Sequence, residues 1–167
     1  MSVMTRAQGK RRARYGSPKP IQAEDGFGFP MLASAPELLA AFHDIAGQII
    51  DTQIDYKPGQ DGRWDIPAPK KSPSGVHQIE FSIFPADTIF TLKSANHNVV
   101  SLGLKAAALA ISLVAWNWVE WQAHDAGRND IAKQANKFWC DLMYFVFRSK
   151  KSALTSEEQH LIHRYID

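Results

Sequence analysis

The stretch Val99 to Trp121 constrains this chain more than any other. It is apolar apart from Ser101, Lys105, Ser112, Asn117 and Glu120, and it closes on Trp116, Trp118 and Trp121. About 20 mostly apolar residues span a bilayer, and tryptophans gather at membrane interfaces. Lys105 and Glu120, however, leave 14 uncharged residues between them, and an apolar core that short marks a helix buried inside a protein. The expectation is a long internal helix from Asn96 or Asn98 to about His124, stopped at Ala126-Gly127. Its alanines at 106, 107, 108, 110 and 115 would let neighbouring elements approach closely. Trp116 and Trp118 fall on different faces of that helix, so the tryptophans either pack on neighbours or leave an aromatic contact patch.

The elements around it follow from spacing. Ser34, Pro36 and Glu37 read as the cap, first turn and capping box of a helix. Leu38, Leu39, Phe42, Ile45, Ala46, Ile49, Ile50 and Ile54 then recur at helical intervals, with Glu37, Asp44, Asp51 and Asp55 along the opposite edge. Tyr56 to Gly75 is a Pro- and Gly-rich connector of the kind that is often functional. His77 to Phe84 alternates, with Ile79, Phe81 and Ile83 on one face. Pro85 to Thr88 signals a turn, and Ile89 to Leu92 reads as the returning strand of a β-hairpin. Such a pair is marginal alone and must pack on helices or gain a third strand. Asp130 to Arg148 forms a further helix, and Thr155-Ser156-Glu157-Glu158 caps a short terminal one. The fold class is therefore α+β. An N-terminal amphipathic helix and a small antiparallel hairpin or sheet precede a helical C-terminal half of about three helices. Residues 31–167 make one domain behind a flexible basic arm, 1–30.

Charge separates along the chain. Residues 1–23 carry Arg6, Lys10, Arg11, Arg12, Arg14 and Lys19 and no acidic side chain, whereas the remainder holds 13 basic against 17 acidic residues. A compact basic segment attracts phosphates, anionic lipid or an acidic protein surface. Tyr15 adds a ring able to stack on a base. Trp64, beside Arg63, and the Pro-flanked Lys70 and Lys71 offer a second patch. The expected partner is nucleic acid or an acidic protein surface, and an uncovered apolar helix face would add a homodimer contact. The acidic edge of the first helix is most simply a solvated face; its functional reading is an electrostatic seat for the chain's own basic arm.

Several chemistries find little support. Hydrophobic residues make up 45% of the chain, enough for a core without metal or disulfide. One cysteine, Cys140, excludes an intrachain disulfide and fits a reducing, cytoplasmic location. No apolar run follows the basic start, so it does not read as a secretory signal. Gly26-Phe27-Gly28 lacks the further glycine and lysine of a phosphate loop. Glu120 with His124, and Glu157 with His160, have ligand-like spacing, but a di-iron bundle needs the Glu-x-x-His pair twice. No cofactor or metal is expected. Asp65, Glu80, Asp87 and His97 are the candidates for acid–base work around the connector and hairpin. The leading expectation is a non-catalytic binding or inhibitory protein. Its alternatives are a small enzyme using that loop and hairpin, or a membrane-associated protein using residues 99–121.

The order of the C-terminal features resembles the plasmid-borne antirestriction proteins of the KlcA type. The stretches that carry the likeness are Leu92-Lys93-Ser94-Ala95-Asn96, Val99 to Val114, and Ile162-His163-Arg164-Tyr165-Ile166-Asp167. They correspond to a strand and cap, an Ala/Leu-rich helix, and an Ile-x-Arg-x-Ile-Asp tail. The basic arm, the Pro-rich connector and the missing glycine-rich approach to the first strand depart from that family. The resemblance implies a non-enzymatic inhibitor of host DNA restriction, with no catalytic residues.

Overall fold

The alanine-rich run forms helix α2, Leu104–Asp125, around which the other elements are arranged. A computed structural model of the chain describes residues 29–55 and 62–167, with side chains from residue 36 onward. Among these residues the elements are α1 (Phe29–Gln53), β1 (Arg63–Asp65), a 3-10 turn (Pro69–Lys71), β2 (Glu80–Ser82), β3 (Ile89–Lys93), β4 (Val99–Gly103), α2, α3 (Asn129–Arg148), a second 3-10 turn (Lys150–Ser152) and α4 (Ser156–Ile166). Residues 106–117, 119, 120 and 123 of α2 are all buried, because α1, α3, α4 and strands β2 to β4 all touch it. A helix surrounded in this way is apolar nearly all round. No helix among the described residues is long and apolar enough to cross a membrane.

α1 turns Leu38, Phe42, Ile45, Ala46, Ile49 and Ile50 into the core and leaves Glu37, Asp44 and Asp51 exposed; just beyond its end Ile54 is buried in a bridge to Leu92 and Asp55 is exposed. It begins at Phe29 rather than at the expected Ser34, so Pro36 lies inside it. A proline in a first turn and one in a kinked interior carry the same local signal, since both restrict φ and lack the N–H. Phe42 stacks on Trp116 with ring centroids 4.1 Å apart and planes 8° from parallel.

The strands pair differently from the expected hairpin. β2 does not return to β3; it pairs antiparallel with β1, setting Trp64 opposite Phe81 and Asp65 opposite Glu80. β3 pairs instead with β4, from Ile89 opposite Gly103 to Lys93 opposite Val99. Residues 99–103, expected as the first turn and more of the long helix, are therefore a strand. Buried Val100 and Leu102 alternate there with exposed Val99 and Ser101, a period-two pattern that β-branched residues suit. The turn between them is closed by hydrogen bonds from Ser94 N–H to the Asn98 carbonyl (2.9 Å) and from Asn98 N–H to Ser94 Oγ (3.0 Å).

Segment 77–79, expected as the start of a strand, lies along α2 and takes its hydrogen bonds from side chains. Ile79 N–H donates to Ser112 Oγ (2.9 Å), and the Trp116 indole N–H donates to the His77 carbonyl (2.8 Å). At Ile83 the backbone turns to φ 65°, which rotates that side chain outward. Ile79 and Phe81 stay on the core side, and Ile83 does not.

α3 presents Ile131, Ala132, Ala135, Trp139, Leu142, Phe145 and Val146 to the interior. α4 starts with the expected capping box: Glu158 N–H donates to Thr155 Oγ1 (3.0 Å) and Thr155 N–H to Glu158 Oε1 (2.9 Å). Its far end is held by the β3–β4 turn, where the Asn96 and Asn98 amides donate to the carbonyls of Asp167 (2.7 Å) and Arg164 (3.0 Å). Tyr165 donates its hydroxyl to Gln53 Oε1 and so ties α4 to α1.

Candidate functional site

The expected contact residues fall into two groups. Arg6, Lys10, Arg11, Arg12, Arg14, Tyr15 and Lys19 lie outside the described residues. Trp64, Lys70 and Lys71 lie within them. Trp64 sits mid-strand in β1, half-buried, its ring 4.7 Å from that of His43. A Cβ at Gly47 would stand 3.6 Å from its Cζ2, so the indole lies close over α1. Much of this ring covers the core. Lys70 and Lys71 are exposed on the 3-10 turn that opens with Pro69.

That turn is built by local hydrogen bonds. Lys71 N–H donates to the Ala68 carbonyl (2.9 Å), Ser72 Oγ to the Val76 carbonyl (2.7 Å), and Ser74 Oγ to Gln78 Oε1 (2.7 Å). Beneath it His77 rests edge-on against Phe138 at 6.0 Å. One ring N–H of His77 meets the Pro67 carbonyl, while Nδ1 is buried without a hydrogen-bond partner. Burial pushes the imidazole below its ordinary range, against the opposing pull of the Pro67 carbonyl. The two lysines are thus carried on a turn fixed to the body.

The acid–base candidates do not converge. Asp65 and Glu80 face one another across β1 and β2. Asp87 lies before β3 and His97 beyond it, so a five-residue strand of about 16 Å separates them. Glu120 is fully buried and accepts from Asn136 Nδ2 at 3.1 Å. Its neighbour His124 lies near the Trp121 ring. Glu157 and His160 are exposed on α4. Among the described residues, no three His, Cys, Asp or Glu side chains come together as a metal site. Cys140 is half-buried, its Sγ 3.8 Å from Asn136 Oδ1.

Two arrangements were not legible in the sequence. The Glu120–Asn136 pair depends on the register of α2 against α3, for which no local signal exists. Arg128 gathers Glu37 and Asp130: its Nη1 and Nη2 donate to the two Glu37 oxygens (2.9 and 3.0 Å) and its Nη2 also to Asp130 Oδ2 (3.0 Å). These bonds hold both carboxyls below the usual carboxylate range and raise the guanidinium further. Glu37, expected as a capping residue, instead fastens α1 to the α2–α3 corner. Of the tryptophans, Trp116 is fully buried, whereas Trp118 and Trp121 are half-buried. Compared with known protein families, curated proteins and solved structures, the chain shows no significant match.

Proposed function

We propose that this chain is a non-catalytic binding or inhibitory protein whose basic N-terminal segment contacts nucleic acid. The observation that carries this reading is the charge split: six cations and no acid in residues 1–23, against an excess of acid in the rest. Lys10, Arg11, Arg12 and Arg14 supply phosphate contacts, Arg6 and Lys19 extend them, and Tyr15 stacks. Lys70 and Lys71 add two exposed cations on a turn tied down by hydrogen bonds, which gives a second, ordered contact. The resemblance to antirestriction proteins of the KlcA type extends the reading to counter-defence, with the protein occupying a surface that restriction requires.

A salt titration of the full-length protein tests this. Binding of a labelled duplex oligonucleotide is followed as ionic strength rises, for wild type and for a variant with Lys10, Arg11, Arg12 and Arg14 all changed to Ala. Removing four phosphate contacts lowers the slope of log K against log salt by about 3 to 4. Identical slopes would sink the nucleic-acid role of the segment. Binding of an acidic protein in place of the oligonucleotide would reassign its partner.

A further inference from the structure

Four cations of the body meet at one corner with no carboxylate partner among the described residues. Lys105 lies in the first turn of α2, and its Nζ donates to the Ser152 carbonyl at 2.8 Å. That bond draws the start of α2 against the 3-10 turn Lys150–Ser152. Arg148 ends α3, and Lys150 and Lys151 follow within three residues, so the four residues lie at one corner, each of them exposed. Arg128 pairs with Glu37 and Asp130, and Lys137 with Asp141, away from this corner. Arg148 suits the negative end of α3. Lys105 has the wrong sign for its place, because the first turn of α2 is the positive end of the helix and holds no acidic residue.

The acids next along the chain are Glu157 and Glu158 at the start of α4; Glu158 directs its carboxylate to Thr155 N–H, and among the described residues neither forms an ion pair with the four cations. Tyr144 stands one helical turn before Arg148 on the same face of α3, and it is 64% exposed. It is the one aromatic among the large hydrophobic side chains that the described residues expose. Clustered unpaired cations repel one another and raise the local potential for a polyanion. A row of phosphates with stackable bases matches both the cations and the ring.

We infer that this corner is a phosphate-backbone contact on the body of the protein. Lys105, Arg148, Lys150 and Lys151 hold nucleic acid there, with Tyr144 against an unpaired base. The inference rests on the reading that the chain binds nucleic acid through its N-terminal segment. It adds an ordered contact that works beside that segment, and two linked contacts on one strand strengthen each other through effective concentration.

The test uses full-length protein and labelled single-stranded and duplex oligonucleotides across a salt series. The corner variant carries Arg148→Gln, Lys150→Gln and Lys151→Gln; Lys105 is kept because it holds the Ser152 carbonyl. Its salt slope falls by about 2 to 3 below wild type, while its far-ultraviolet circular dichroism keeps the folded form. Tyr144→Ala weakens single-stranded binding by about tenfold and leaves the slope alone. A wild-type slope in the corner variant, with the slope lost in the N-terminal variant, overturns the corner and leaves the proposed function standing. Absence of salt-dependent binding by wild type overturns both. Corner-dependent binding to phosphatidylserine vesicles, with none to oligonucleotides, assigns the corner to lipid and overturns it too.

Discussion

Trp116 links three parts of the molecule through one side chain. Its face stacks on Phe42 of α1, its edge meets Phe138 of α3 at 5.0 Å, and its N–H serves the His77 carbonyl. His77 in turn joins the connector to α3 through Pro67 and Phe138. Since burial lowers the folded-state value for this imidazole below 6.5, the unfolded chain takes up a proton there first. Its contribution to stability is complete above about pH 6.5 and is lost as pH falls toward the lower folded value. Urea denaturation at pH 7.5 and 5.5 should therefore show an acid loss that is smaller in His77→Gln. Equal losses in the two proteins would remove His77 from the pH response. The interior also holds Glu120 against Asn136, both buried, with Asn136 Nδ2 donating to Glu120 Oε1.

Among the elements, two of the three left-handed non-glycine residues of the described chain lie at the small sheets, and the third, Ala153, ends the second 3-10 turn. Ile83 and His97 both sit at φ 65°, Ile83 where β2 ends and His97 in the β3–β4 turn. For a β-branched residue the left-handed region costs roughly 1–2 kcal/mol. Ile83 is also 66% exposed, so burial does little to offset it. Ile83→Asn, a residue that tolerates this conformation, should stabilise the protein by up to ~1 kcal/mol, read as a raised urea midpoint at constant slope. A clear loss would mean that the isoleucine side chain makes a contact outweighing the strain. The helices were legible in the sequence because their period is local: the stripe of α1 and the capping box of α4 each lie within one segment. The strands were legible as segments, but their partners were not. His77 to Phe84 and Ile89 to Leu92 read as neighbours because they are close in sequence. Pairing was instead decided by Arg63–Asp65 and Val99–Gly103, which lie on the far side of each.

For the whole molecule, buried side chains from α1, α2, α3, α4 and the strands form one continuous cluster with α2 inside it. Arg128 closes one end of that assembly, and Tyr165 with Gln53 closes the other. One core implies cooperative loss of structure. Tryptophan fluorescence and far-ultraviolet circular dichroism should trace a single coincident urea transition, and two separated transitions would divide the body into independent units. The sequence by itself determined the α+β class, the burial of the alanine-rich run, the start of α4 and the uneven placement of charge. All of these follow from composition and short-range periodicity. Only the tertiary structure decided that residues 99–103 are strand, that Glu37 bonds to Arg128, and that Lys105 joins Arg148, Lys150 and Lys151. Each of those outcomes depends on which distant segment packs alongside, and strand partners, ion pairs and surface charge clusters are properties of that packing.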